Sequence, residues 1–184
     1  MLFKTENYLC RGVFKSHEPV YHPTVFRHPL NALSSIFYWL PLYYIPYDYI
    51  LGISILSCLA PISFIWWSTS SSQIKYIDNG LVLSTKFWLL SVLLNRPYIC
   101  LFIPFCFTLK NDKKIKIIAF LGSIALLYYN THNMSRYLFV LSLIGKLADS
   151  VRMNRYGTCF FHIFSGLAIY IYFRDLALAS KVYN

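Results

Sequence analysis

The sequence predicts an all-α integral membrane protein, folded as a bundle of seven transmembrane helices. Of its 184 residues, 57% are apolar and 13% are charged, whereas charged residues make up roughly 25% of a soluble domain. Leu, Ile, Phe and Tyr replace the missing charge, and aromatic residues reach 19%. Apolar runs recur along the chain, and short basic clusters separate them as they do in membrane-protein loops.

The net charge of +10 is compatible with basic membrane loops, but a basic chain can also indicate nucleic-acid binding. Here the basic residues stand between apolar runs, so we expect no nucleic-acid partner. Membrane lipids, and other membrane proteins as a second class, are the expected partners. The five cysteines form no CxxC pair, which excludes a zinc ribbon and gives no disulfide framework.

Seven apolar segments follow one another along the chain. They run from about Leu30 to Ile45, Tyr49 to Trp67, Leu81 to Leu94, Pro97 to Leu109, Ile115 to Tyr129, Tyr137 to Leu147 and Cys159 to Phe173. Pro41 interrupts the first segment, the second is the longest and cleanest, and Lys86 lies in the middle of the third. The fourth to the seventh are separated by polar loops, and the sixth is the shortest.

Several of these segments are shorter than the ~20 residues that cross a ~30 Å hydrocarbon core. Flanking Tyr, Trp and Lys side chains can extend such helices into the interface. Seven crossings are the prediction, and six are the alternative. The segments on either side of Asn95-Arg96-Pro97 could instead form one re-entrant hairpin.

Basic residues indicate the orientation, because cytoplasmic loops carry the excess of Lys and Arg. With seven crossings, twelve basic residues fall on the side of the N-terminus, four on the opposite side, and Lys86 lies within the membrane. The four are Arg96, Arg136, Arg174 and Lys181. We therefore expect a cytoplasmic N-terminal segment (1–29), the membrane bundle (30–174), and a short lumenal or extracellular C-terminal tail (175–184).

Ionisable groups at membrane depth are costly, so each is a candidate functional residue. Asp78 begins the third segment, His162 lies near the start of the seventh, and Ser63 lies near the end of the second. The predicted topology places all three at the cytoplasmic end, where Asp oxygen and His nitrogen suit zinc. In the alternative interpretation, Asp78 merely ends a helix and His162 is hydrogen-bonded inside the bundle. Lys86 could pair with Asp78 only through an intermediary, since eight residues of helix span ~12 Å.

Three stretches of the sequence carry a family resemblance. Ser63-Phe64-Ile65-Trp66-Trp67 followed by Asp78, the run from Thr158 to Leu167, and the run from Arg27 to Ser35 resemble, in chain order, the motifs of alkaline ceramidases and adiponectin-receptor-type proteins. This group of seven-helix lipid hydrolases is often called the CREST superfamily. The resemblance implies a seven-helix fold, a cytoplasmic N-terminus and a zinc site at the cytoplasmic end.

The resemblance also assigns roles to residues. Ser63 and Asp78 match the catalytic Ser and Asp positions, and His162 matches the second His of the seventh-helix pair, with Asp78 as its potential partner on the metal. Trp67 and Thr158 occupy the positions of the other two zinc histidines. An intact site would use a zinc-bound water to cleave a lipid amide such as ceramide.

Because two of the three zinc histidines are replaced, the sequence predicts a divergent ceramidase-like protein whose zinc-dependent activity is lost or altered. Zinc remains a possible cofactor through Asp78 and His162. The alternatives are a lipid-binding protein without catalysis and a structural subunit of a larger membrane complex.

Overall fold

The fold consists of helices and their connections. A computed structural model describes residues 28–69, 71–109, 112–150 and 156–182, and these contain no β-strand. The all-helical prediction is therefore confirmed for the described part of the chain. The predicted N-terminal segment, 1–29, lies outside the described residues apart from its last two.

Each predicted apolar segment contains one α-helix. The helices are α1 (Pro29–Ser34), α2 (Ile50–Thr69), α3 (Ser72–Leu93), α4 (Ile103–Cys106), α5 (Asp112–Tyr129), α6 (Asn133–Ser150) and α7 (Gly157–Val182). Three 3₁₀ helices accompany them: Ser35–Tyr43 directly after α1, Tyr47–Tyr49 before α2, and Pro97–Phe102 before α4.

Four of these elements differ clearly from the predicted segments. The fourth segment is α-helical only over α4, which follows the 3₁₀ helix Pro97–Phe102. The first segment is α-helical only over α1 and continues as a 3₁₀ helix that contains Pro41, which lacks the N–H needed in an α-helix interior. Helix α3 begins at Ser72 rather than Leu81, so its first turns are polar. Helix α7 continues past Phe173 to Val182, which makes most of the predicted C-terminal tail helical.

Two helices are long and apolar enough to cross a membrane. Within the described residues these are Tyr47–Thr69, with a mean hydropathy of 1.9, and Gly157–Ala179, with a mean hydropathy of 1.2. Pro97–Cys106 and Ile117–Tyr129 are apolar but shorter. Helices α3 and α6 carry charged residues along their length, which lowers their hydropathy. The structure thus shows two candidate spans among the seven predicted.

The core lies where α2, α3 and α7 meet. The rings of Trp88 and Phe173 stack with centroids 5.5 Å apart and an interplanar angle of 11°, and both side chains are buried. Trp88 also fills the space above Gly52, where a Cβ would lie only 2.0 Å from its ring. Glycine at this position therefore lets α2 approach α3 closely.

The bundle has two chemically different ends. At one end, here called the His162 end, α2 finishes while α3 and α7 begin, and the main-chain N of His28 donates to the Trp67 carbonyl at 3.2 Å. At the other, the Tyr172 end, the α5–α6 loop meets α7 through His132 and Tyr172, whose ring centroids are 5.3 Å apart. The predicted site residues all belong to the His162 end.

Candidate functional site

Five elements bring polar side chains together at the His162 end. Ser34 ends α1 and Ser35 begins the following 3₁₀ helix, Ser63 lies in α2, Asp78 in α3 and His162 in α7. All five are buried, with Asp78 7% and His162 5% exposed. Buried polar groups are stable only when they are hydrogen-bonded, so their partners define what this site can do.

His162 is tied to the first helix through Nδ1. This atom lies 3.1 Å from the main-chain oxygen of Asn31 and 3.0 Å from Ser34 Oγ. A carbonyl oxygen accepts only, so the contact favours the tautomer that carries its proton on Nδ1. Nε2 of the ring is then an acceptor.

Ser35 connects His162 to the other two predicted residues. Its hydroxyl lies 3.4 Å from His162 Nδ1 and donates to Ser63 Oγ at 3.1 Å. The Ser63 hydroxyl is in turn a hydrogen-bond partner of the Asp78 carboxyl. The structure thus joins Ser63, Asp78 and His162 into one network, as their expected common depth suggested.

Two atoms of this region have no hydrogen-bond partner among the described residues. They are Oδ1 of Asp78 and Nε1 of Trp67, and both are inaccessible to solvent. One is an acceptor and the other a donor, and an unpaired buried polar group costs about 1–3 kcal/mol. Asp78 reaches this position from the second turn of α3, because the helix begins at Ser72 and not at Asp78.

The positions that the resemblance assigns to zinc ligands do converge. The rings of Trp67 and His162 lie 6.1 Å apart, centroid to centroid. Thr158 precedes His162 by four residues on α7, and its hydroxyl accepts a hydrogen bond from Lys146 Nζ at 3.2 Å. The three positions therefore occupy one end of the bundle, with an indole and a hydroxyl where imidazoles would be needed.

At the three positions that the resemblance assigns to zinc, the described side chains supply one imidazole and not the three ligands of a catalytic zinc ion. Such a site needs three protein ligands and a water. Among the described residues no group of three or more His, Cys, Asp or Glu side chains could hold a metal, which leaves Asp78 and His162 as a pair. An indole offers no lone pair to a metal, and a threonine hydroxyl is a poor ligand beside imidazole.

Two further residues complete the network and were not singled out in the sequence. Tyr38 lies beside His162, with ring centroids 5.5 Å apart, and its hydroxyl is 3.3 Å from Ser165 Oγ. Ser165 lies three residues after His162, a spacing that places both on one face of α7. That spacing was the available signal for Ser165, whereas nothing local indicated Tyr38.

The suggested pairing of Lys86 with Asp78 is wrong. Lys86 Nζ donates to the main-chain oxygen of Ala119 at 2.9 Å and to the Ser123 hydroxyl, both on α5. The lysine therefore bonds to the fifth helix and not to Asp78. The reason is the helical distance between the two residues, which the side chains do not bridge.

Comparison with protein-family models, curated proteins and solved structures finds no match to this chain.

Proposed function

We propose that this chain is a multi-pass membrane protein that binds the polar head of a membrane lipid at the His162 end without hydrolysing it. In this proposal it has the seven-helix arrangement of the ceramidase-like proteins but no zinc centre. The observation that carries the proposal is the pair of unpartnered buried atoms, Asp78 Oδ1 and Trp67 Nε1. Together they offer an acceptor and a donor to one neutral polar group.

The exposed surface supports immersion in lipid. Large apolar side chains are freely exposed on several elements, including Ile50 at 69%, Leu101 at 79% and Tyr47 at 93%. Exposed apolar surface on so many elements is expected where the surrounding solvent is lipid. Embedding the whole bundle in a bilayer would remove this surface from water.

Tyrosines at the Tyr172 end support seven crossings. Exposed tyrosines stand where the first 3₁₀ helix ends, where α5 ends and where α6 begins, namely Tyr43, Tyr128, Tyr129 and Tyr137. Tyr is enriched at membrane–water interfaces, so in this proposal these residues form a belt at one membrane surface. We infer that the His162 end is cytoplasmic and the Tyr172 end is lumenal or extracellular.

A lipid amide or hydroxyl matches the unpaired atoms. Its carbonyl or hydroxyl oxygen would accept from the Trp67 indole N–H, and its own N–H or O–H would donate to Asp78. Leaving either group unpaired is costly, so a ligand that pairs both gains specificity over one that pairs neither. The rest of the network, from His162 to Asn31, holds the site in shape and supplies no zinc ligand set.

The loss of zinc chemistry is tested by trying to restore it. Purified wild-type protein is expected to contain no stoichiometric zinc and to release no fatty acid from ceramide. The double variant Trp67→His, Thr158→His adds imidazoles at the two assigned positions, and we expect it to bind about one zinc per chain. The matched control Trp66→His, Cys159→His places them one residue away and should bind none.

Lipid binding is tested separately with a fluorescent ceramide. The variant Trp67→Phe removes the indole N–H while keeping an aromatic ring, and it should weaken binding about tenfold. Trp66→Phe is the matched control and should bind like the wild type. Stoichiometric zinc or ceramide hydrolysis in the wild type would overturn the proposal, as would unchanged ceramide binding in Trp67→Phe.

A further inference from the structure

A second polar site borders the His162 network, since Tyr38 and Ser165 of that network also line it. A cavity of about 40 Å³ lies between the first 3₁₀ helix, α2, α3, α5, α6 and α7, and Lys86 is the charged residue that lines it. Most of the wall is apolar, with Leu59, Leu89 and Ile169 among its residues. An ammonium group in such surroundings is expensive to maintain and marks a functional site.

The hydroxyl groups around this cavity do not compensate the charge. Those of Thr85, Ser123 and Ser142 donate to carbonyl oxygens of their own helices. Lys86 Nζ has three N–H donors, and the Ala119 oxygen and Ser123 hydroxyl take two of them. One ammonium donor therefore remains for a ligand.

The electrostatic surroundings of Lys86 favour an anion. The other charged group that acts on it is Lys146, which is also a cation, and the Nζ atoms of Lys86 and Lys146 lie 6.0 Å and 5.7 Å from the Phe161 ring centroid. Among the described residues that line the cavity there is no carboxylate. The positive charge of Lys86, beside a cavity with no carboxylate in its described lining, is complementary to a single negative group.

Helix α5 is shaped to hold the lysine. A Cβ at Gly122 would lie 3.3 Å from Lys86 Cδ, so the lysine stem rests on the surface of this glycine. One turn of α5 thus contacts the lysine stem through Gly122. The same turn provides both acceptors for the ammonium, on Ala119 and Ser123. The Nζ atom is fixed beside the cavity and does not extend to the membrane surface.

The cavity reaches the seam between α5 and α6. Leu126 of α5 and Phe139 of α6 both line it, while α5 packs mainly on α3 and only sparsely on α6. A volume of about 40 Å³ accommodates a small head group, since one water needs roughly 10–15 Å³ on the same measure. An attached alkyl chain would leave along this seam into the bilayer.

We propose that Lys86 and this cavity bind the anionic head of a single-chain lipid, whose chain lies along the seam between α5 and α6. The cavity shares Tyr38 and Ser165 with the network at the His162 end, but its charged residue, Lys86, is not part of that network. The shared chemistry is one alkyl chain with one anionic head, either a carboxylate or a phosphate. Burial of the alkyl chain contributes most of the affinity, and the Lys86 ammonium selects an anionic head group over a neutral one.

The test uses a photoactivatable stearate on the full-length protein in detergent, at a pH at which the free carboxylate is ionised. Lys86→Met removes the charge and keeps the length of the side chain, and labelling should fall about tenfold or more. Arg96→Gln removes one exposed charge elsewhere and should leave labelling unchanged. Peptide mapping should place the label on α5 or α6.

Competition and cavity filling keep the proposal testable if Lys86→Met fails to fold. Unlabelled stearate should displace the probe from the wild type, whereas stearyl alcohol should not. Dodecyl phosphate and laurate have the same chain length and distinguish the two head groups. Stronger competition by dodecyl phosphate than by laurate would indicate that the site prefers a phosphate.

Ser142→Leu fills the cavity while keeping Lys86, and it should also reduce labelling. Equal competition by stearyl alcohol, or full labelling of a folded Lys86→Met or Ser142→Leu variant, would refute the proposal.

Discussion

His162 Nδ1 lies 3.1 Å from the main-chain oxygen of Asn31, so one ring nitrogen of α7 is bonded to the backbone of α1. The Oγ atoms of Ser34 and Ser35 also lie 3.0 Å from this oxygen. This junction links the first and last helices of the bundle. It also gives the buried imidazole of His162 a structural role in the fold.

The role of His162 Nδ1 predicts an order of stability among three variants. Asn places its side-chain amide near the position of Nδ1, whereas Gln places it near Nε2. His162→Asn should therefore retain part of the bond to Asn31 and lose about 1 kcal/mol, while His162→Gln and His162→Ala should lose about 2–4 kcal/mol. Unfolding of the detergent-solubilised protein by SDS titration measures the difference. Equal losses in the Asn and Gln variants would contradict the assignment of Nδ1.

The buried carboxylate of Asp78 is expected to lower the free energy of unfolding of the protein. Its Oδ1 has no hydrogen-bond partner among the described residues, and a buried carboxylate costs more than a buried amide. Asp78→Asn should raise the free energy of unfolding by about 1 kcal/mol, while it weakens binding of the fluorescent ceramide. Stability gained at the expense of function is typical of such sites.

The control for Asp78 is a carboxylate that is paired. Arg174 donates to Asp175 Oδ1 from Nε at 2.9 Å and from a terminal nitrogen at 2.7 Å. Asp175→Asn should therefore lower the free energy of unfolding, by about 0.5 kcal/mol because the pair is partly exposed. The two Asp-to-Asn changes should thus have opposite signs in the same thermal or SDS unfolding assay. A loss of stability in Asp78→Asn would mean that its carboxylate is satisfied.

The sequence predicted the helices better than their ends. The long apolar runs of α2 and α7 identify both helices directly, since their composition alone distinguishes them from the polar loops on either side. The start of α3 at Ser72 was missed because its first turns are polar and contain Lys75 and Asp78, so hydropathy carries no signal there. The 3₁₀ helix Ser35–Tyr43 was missed because Pro41 shows that an α-helix is interrupted but not which conformation replaces it.

The site was predictable in its side chains and not in its main-chain contacts. Ser63, Asp78 and His162 could be placed at one end of the bundle because helix direction alternates along the chain. The bond from His162 to the Asn31 carbonyl could not, since it depends on where α7 packs against α1. The same holds for Lys86, whose acceptors on α5 are fixed by tertiary packing and not by its own helix.

Close packing of α7 against the first 3₁₀ helix makes Gly166 sensitive to substitution. A Cβ at this position would lie 2.5 Å from the main-chain oxygen of Phe37, and the backbone there cannot move as a side-chain end can. Gly166→Ala should lower the free energy of unfolding by about 2 kcal/mol. Gly122→Ala is the control, because its Cβ would meet only the flexible Lys86 stem at 3.3 Å. The control should be neutral or slightly stabilising, since Ala favours helix more than Gly does.

The seven-crossing proposal places the α2–α3 and α3–α4 connections on opposite sides of the membrane. Ser71 lies between α2 and α3, and Arg96 is exposed in the loop after α3. In a variant whose five native cysteines are replaced, a membrane-impermeant thiol reagent should label Arg96→Cys on sealed vesicles that expose the lumenal or extracellular face. It should label Ser71→Cys only after the vesicles are permeabilised.

This pattern follows if α3 crosses the bilayer despite Asp78 and Lys86, whose partners inside the bundle keep both side chains from facing lipid. Labelling of both positions on sealed vesicles would show that α3 does not cross, and the bundle would then have fewer than seven spans.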